Sequence, residues 1–222
     1  MNPKQLLVWV VGLTLCVIDI RPYVHSAQKP SGSSLATGGP IQEEYEIWNL
    51  AVENVIEHSR PPEMVLISDE TASPPAESEY GLESLLDSRP TLPQGRQTQK
   101  WIALRGELLP ETRANFQQKN QTTNWLANNF RLPLRTVTIA ERELSRLHAK
   151  APDHFWETLR AKYPHAIGVF RVSRIGFSSS RTQAIVYIQY QSGPEGGDGR
   201  YVLLQKKNGV WTCRTAAIAW MS

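Results

Sequence analysis

Over the last third of the chain, apolar and polar positions alternate with the two-residue period of a strand. Ile167 to Phe177 (IGVFRVSRIGF) is rich in β-branched and aromatic residues, as strands are. From Thr182 to Tyr190, Ala184, Val186, Ile188 and Tyr190 fall on one face, and Gln183, Ile185, Tyr187 and Gln189 on the other. The first face is the better core candidate, and the mixed second face reads as partly covered. Gln191 to Gly199 reads as a loose, glycine-rich connection. Arg200 to Lys207 resumes a strand, with Val202 and Leu204 opposing Tyr201 and Leu203. Asn208-Gly209 is the pair that best tolerates the positive φ angles of a two-residue type I′ turn. In the closing strand, Val210 to Met221, strict alternation puts Trp211, Cys213, Thr215, Ala217, Ala219 and Met221 on one face. The whole run predicts a C-terminal meander of four antiparallel strands.

Upstream the period lengthens to that of a helix. Trp48, Ala51, Val52, Val55 and Ile56 make one apolar stripe on a helix over about Glu43 to His58, stopped at Arg60-Pro61-Pro62, because proline cannot continue a helix. Met64 to Ser68 (MVLIS) is a short buried strand that runs into Asp69-Glu70-Thr71. Ala72 to Thr98 is Pro/Ser/Glu-rich and reads as an irregular segment, with a helical turn at Leu82 to Leu86. Pro110 opens a helix carrying Phe116 and, further on, Trp125, Leu126 and Phe130; its polar middle implies an exposed helix or two short ones broken near Asn120. Leu132 to Val137 reads as extended around Pro133. Thr138-Ile139-Ala140-Glu141 has capping-box spacing and predicts a helix to about Ala149, with Leu144 and Leu147 inside. Asp153 is placed to cap a further helix, with Phe155, Trp156, Leu159 and Tyr163 on its stripe and Pro164 as its stop.

These elements predict an α+β fold: helices packed on a curved antiparallel sheet that ends in the four-stranded meander, a layout like the cystatin-like or NTF2-like architecture. One domain over 41–222 accommodates them, with the Pro-rich insertion at about 72–98.

The start of the chain has a different character. Lys4 precedes an apolar run from Leu6 to Ile18, and Val24-His25-Ser26 offers a cleavage site, the layout of a secretory signal over 1–27. The run is short for a spanning helix, which needs about 20 residues; an uncleaved membrane anchor is the alternative. Residues 28–40 are Ser/Gly/Pro-rich and read as a flexible linker. The expected address is therefore extracytoplasmic, with membrane contact only through the N-terminal segment. After cleavage Cys213 has no cysteine to pair with, and it reads as a small buried hydrophobe.

A formal charge of +3, from 24 basic and 21 acidic residues with no dense basic block, speaks against nucleic acid as a partner. No constellation points to catalysis. Adjacent Asp69 and Glu70 suggest a metal or base site, but neighbours on a strand point to opposite faces, so a solvated strand end is the simpler reading. His148, His154 and His165 lack the paired spacing of a zinc helix. The Gly-rich stretch at Ser192 to Gly199 joins strand to strand, whereas a phosphate cradle opens a helix. Neither a metal nor a cofactor is expected. Asn120-Gln121-Thr122 has the form of a glycosylation acceptor.

Trp156 through Tyr163-Pro164, Ser173-Arg174-Ile175-Gly176-Phe177, Gln183 to Tyr187, Lys207-Asn208-Gly209-Val210-Trp211 and the closing Trp220-Met221-Ser222 together resemble a group of uncharacterised, predicted-secreted bacterial proteins. The resemblance covers about Asp153 to Ser222, and faintly Glu43 to Thr71, including Ile67-Ser68-Asp69-Glu70-Thr71. Members often hold a Cys-Gly pair twice in the hairpin loop; here Gln191 to Gly199 has no cysteine, so that disulfide is absent. The resemblance implies a bacterial, exported protein and brings no activity or site with it.

Three functions compete. The first is a non-enzymatic module that binds a small ligand, an envelope component or a protein, with Tyr187, Tyr201 and Arg174 as candidate ligand contacts. The second is a hydrolase-like enzyme with a pocket between helices and sheet, drawing on Asp69, Glu70, His154 and Arg174. The third is an interaction role in which the segment Ala72 to Thr98 docks on a partner.

Overall fold

The structure is a computed structural model that describes residues 41–56, 64–75, 81–87 and 96–222. The export segment at 1–27 and the linker at 28–40 lie outside the described residues. No helix among those described is long and apolar enough to cross a membrane.

The fold is α+β. Helix α1 (Gln42–Ile56) leads to strand β1 (Met64–Ser68), and α2 (Leu82–Asp87), α3 (Arg96–Glu107) and α4 (Pro110–Lys119) follow. Strand β2 (Arg135–Ile139), helices α5 (Glu141–Lys150) and α6 (Phe155–Lys162), and strand β3 (Ala166–Val172) come next. The meander is completed by β4 (Gly176–Phe177), β5 (Gln183–Gly193), β6 (Gly196–Lys207) and β7 (Val210–Met221). These strands form one mixed sheet in the order β2-β1-β3-β5-β6-β7, with β4 also on β5. β1 runs parallel to both β2 and β3, and every later pairing is antiparallel. The meander is thus extended by a parallel edge.

β3 and β4 are one run interrupted by a bulge. Val172 pairs with Ile188 and Gly176 with Ile185, so three residues on one side oppose two on the other. Ser173, fully buried, mends the ladder: its N–H donates to Tyr187 O at 2.8 Å and its Oγ accepts from Tyr187 N at 2.8 Å. Its carbonyl accepts from Trp48 Nε1 at 2.9 Å, which ties α1 to the bulge. Gly176 is required here, because a Cβ would sit 2.4 Å from Cβ of Phe116 and 2.7 Å from its backbone nitrogen. Helix α4 therefore lies directly on bare strand backbone. The Asn208-Gly209 turn has φ of 52° and 81°, as its composition predicts.

Both faces of the sheet are covered. On one, α1 packs Tyr45, Trp48, Val52 and Val55 onto Ile67, Phe170, Val186, Val202 and Trp211. Tyr45, Trp48 and Phe130 meet there, with Tyr45 edge-on to Trp48 and to Phe130, both at 5.2 Å. Each such large apolar side chain contributes about 1.5–3 kcal/mol when fully buried. On the other face, Trp101, Leu104 and Phe116 cover Ile185, Tyr187, Tyr201 and Leu203, while Leu144 and Leu159 cover Leu66 and Val169. Ile185 and Tyr187 are as buried as Val186, so the face expected to be partly covered is a second core. In the cystatin-like layout helices take one face; here the second helical layer takes the other.

Several local expectations change. The loose connection at Gln191 to Gly199 shrinks to a turn at Pro194-Glu195, because β5 and β6 pair as far as Gly193–Gly196. Bulges in β7 break its alternation: Leu203 pairs with Thr215 and Leu204 with Cys213, leaving Arg214 extra. Trp211 consequently faces α1 while Ala217 faces α3. Cys213 packs against the α1 core. Helix α3, absent from the pattern of apolar positions, seals the second core with Trp101 and Leu104. Trp125 to Phe130 is not helical, since α4 ends at Asn120. Leu82 and Leu86 of α2 are buried, so the Pro-rich insertion also contributes to the core.

Candidate functional site

In open sheets with parallel strands, ligands gather outside the carboxyl ends of those strands. Here β1, β2 and β3 bring Ser68-Asp69-Glu70, Ala140-Glu141 and Arg171 to one end of the sheet. The register sets Ser68 beside Ile139, and Ile67 beside Phe170 places Ser68 next to Arg171. Glu141 is the hub. Its carboxylate accepts from Ser68 Oγ at 2.8 Å and, in two-point fashion, from Arg171 Nε at 3.0 Å and Nη2 at 2.9 Å. Arg171 Nη1 donates onward to Gln191 Oε1 at 3.1 Å.

The capping box is corrected by this geometry. β2 runs to Ile139, so Thr138 is still in a strand and its Oγ1 donates to Asn128 Oδ1 at 2.9 Å. The first turn of α5 is capped from another strand: Glu141 N donates to Asp69 Oδ1 at 2.8 Å. Glu141, expected to reach back along its own helix, pairs with Arg171 instead. Asp153, expected as a cap, lies exposed in a short turn and makes no cap bond.

Glu70 stands differently. Leu126 N donates to Asp69 O at 2.7 Å and Thr71 N to Asn124 O at 2.9 Å, making Glu70 and Trp125 an antiparallel pair of the non-hydrogen-bonded kind. Directly opposed side chains come closest in such pairs. Trp125 is 61% exposed. The Glu70 carboxylate has no hydrogen bond to any described residue, while Glu70 N is held by Ser68 Oγ at 3.2 Å. Burial, then the negative charges of Asp69 and Glu141, push its pKa above the ordinary value. Burial also works against ionising Glu141, but the bonds and charge of Arg171, with Ser68, outweigh it and lower that pKa. Three carboxylates, Asp69, Glu70 and Glu141, thus gather at the strand ends, and Glu141 takes the Arg171 guanidinium.

The residues selected from sequence are dispersed. Tyr187 and Tyr201 lie between the sheet and α3, their rings 5.0 Å apart and exposed by 2% and 0%. Trp220 Nε1 donates to the Tyr187 hydroxyl at 2.7 Å. Burial pushes the Tyr187 pKa up to about 12 and that of Tyr201 higher. Arg174 lies elsewhere, donating to Lys119 O at 3.1 Å and Thr122 Oγ1 at 2.9 Å. His154 pairs with Glu157 on an exposed turn. Tyr187 and Tyr201 adjoin each other inside the core, whereas Asp69 and Glu70 share a location at the strand ends that Trp125, Glu141 and Arg171 complete. The Ser-Asp-Glu run after a buried strand was the available signal.

Among the described residues no three of His, Cys, Asp and Glu form a metal-holding group. The space between α3 and the sheet is filled by side chains. Two surface cavities flank α4: one of about 350 Å³ beside Leu108 and Arg113, and one of about 510 Å³ beside Lys119 and Arg181. Asn120 is fully engaged, its Nδ2 donating to Phe116 O at 2.8 Å and Arg174 O at 3.0 Å, and its Oδ1 accepting from Arg174 N at 2.9 Å. The atom a glycan would occupy therefore holds α4 to the bulge. Comparisons with protein-family models, with curated proteins and with solved structures give no match to this chain.

Proposed function

We propose that the protein is an exported, extracytoplasmic bacterial module that binds its ligand without catalysis, and that the ligand is an organic cation met by Glu70 and Trp125. The observation that carries this reading is the pairing of an exposed indole with a carboxylate that no described residue hydrogen-bonds. An indole face attracts a cation through its quadrupole, by about 0.5–2 kcal/mol. Glu70 supplies the counter-charge, and Asp69 and Glu141 add to the negative field. Arg171 opposes it, but both its donor edges are engaged. The export half of the reading rests on Lys4 and the apolar run Leu6 to Ile18, and on the resemblance to secreted proteins.

Thermal unfolding against tetramethylammonium, spermidine and glucosamine tests this reading. A binding cation raises the midpoint saturably, and the rise shrinks in Trp125→Ala and in Glu70→Gln. If every cation leaves the midpoint unchanged, or if both variants respond like the parent, the reading fails. Turnover of an ester, amide or glycoside panel, abolished by Glu70→Gln, would move the assignment to a hydrolase.

A further inference from the structure

The cavity of about 510 Å³ between α4 and the β4–β5 turn has a chemistry opposite to that of the strand ends. Its walls include Asn115, Gln118, Lys119, Ser179 and Arg181, over a floor of Phe177. The Lys119 ammonium lies 4.9 Å from the Phe177 ring centre and the Arg181 guanidinium 4.0 Å, so two cations share one aromatic ring. Asn115 Oδ1 accepts from Phe177 N at 2.8 Å, which leaves the Asn115 NH2 group as its remaining polar offer.

Each carboxylate nearby is already engaged. Glu43 takes Arg181 by Nε at 3.0 Å and Nη2 at 2.5 Å, together with Lys206 and Trp211, leaving the Arg181 Nη1 edge. Glu111, which also lines the cavity, accepts Ser179 N at 3.1 Å on one oxygen and Ser179 Oγ at 2.7 Å on the other. Glu44 stands 3.7 Å from Lys119 Nζ, beyond a good hydrogen bond. Lys119 keeps 27% of its side-chain exposure, so its ammonium is partly removed from water, with Glu44 as a loose ion-pair partner. Burial first, and then the positive charges of Arg174 and Arg181, lower its pKa against the pull of Glu44.

We infer that this cavity is an anion site, in which Lys119, the free edge of Arg181 and the Asn115 amide hold a carboxylate or phosphate group of a ligand. Donors are in surplus on its walls, and ionised acceptors make the strongest bonds to them. The assignment is independent of the cation reading at the strand ends.

The test titrates the purified protein with inorganic phosphate and, separately, with citrate, at ionic strength fixed by sodium chloride. The expected result is a saturable rise in the unfolding midpoint and a matching shift of the Lys119 side-chain 13Cε resonance, with the exposed Lys207 unmoved. Response to phosphate alone identifies a phosphate site, response to citrate alone a carboxylate site, and response to both their shared chemistry. Lys119→Gln should weaken binding by about tenfold or more, Lys119→Arg should largely retain it, and Glu70→Gln should leave it unchanged. Absence of a saturable response to either anion overturns the inference, as does full binding by Lys119→Gln. Should that variant not fold, the Lys119 resonance in the parent decides alone.

Discussion

At the scale of single residues, a half-buried carboxylate titrates according to whether cations or other carboxylates surround it. Glu43 and Glu70 illustrate the two outcomes. Burial opposes ionising Glu43, yet bonds from Lys206, Arg181 and Trp211 bring its pKa to about 2. Its folded pKa is depressed, so its stabilisation is present above the ordinary 4.5 and is lost as pH falls toward 2. Glu70 has the opposite sign. Its pKa is raised, so the folded state binds the proton more tightly, and ionisation above the ordinary 4.5 costs stability. Glu70→Gln should therefore unfold at a higher temperature than the parent at pH 7. The gain should fade as pH falls below 4.5, where the parent carboxyl is protonated in both states. Melting both proteins across pH 3–8 checks this, since the Glu43 effect is common to the pair and cancels in the difference. A variant no more stable than the parent at pH 7 would mean that Glu70 is solvated like an ordinary surface carboxylate. A side chain kept at a stability cost is what a binding residue looks like.

At the scale of elements, legibility follows range. The α1 stripe, β1, the α6 stripe and the Asn208-Gly209 turn rest on neighbours a few residues apart, and pattern alone finds them. The α5 cap is supplied by Asp69, distant in sequence from Glu141, so local spacing pointed to Thr138 instead. The β7 bulge at Arg214 shifts the side chains from Thr215 to Ile218 by one face, and a second bulge at Ala219 shifts the register again, which period-two counting cannot see. The second core was hidden because α3 opens with Arg96-Gln97-Thr98-Gln99-Lys100, whose polarity masks the Trp101–Leu104 pair. At the site, Asp69 and Glu70 were visible as a motif, but Trp125 reaches them through a single bridge that no spacing announces. The α4–β4 contact gives the sharpest test at this scale. Gly176→Ala places a Cβ into the backbone of Phe116, and a helix cannot give way there as a flexible side chain can. Overpacking of this kind costs about 1–3 kcal/mol. Denaturant melts should show that loss, while Gly106→Ala, with open space around its Cβ, should not destabilise.

At the scale of the whole molecule, one helix unites two kinds of sheet. The parallel edge, β2-β1-β3, has its own cover in α5 and α6, and the antiparallel part, β5-β6-β7, has its own in α2, α3 and α4. Either half taken alone has one sheet face without helical cover. Helix α1 supplies that face to both, reaching Ile67 and Phe170 on one side and Val202, Leu204 and Trp211 on the other. Trp48 sits at the join: it is 2% exposed, and its indole N–H holds the bulge carbonyl of Ser173. Trp48→Ala should therefore cost about 3–5 kcal/mol and should lower the amide protection of Leu66 in β1 and Val202 in β6 by the same free energy. Native-state hydrogen exchange measures both amides in one experiment. Equal losses mean that the carboxylate-bearing strand ends and the meander open together, so a ligand bound to either would stabilise both. Loss at Val202 with Leu66 unchanged, or the reverse, would make the halves separate cooperative units, and ligand stabilisation would then stay within the half that binds it.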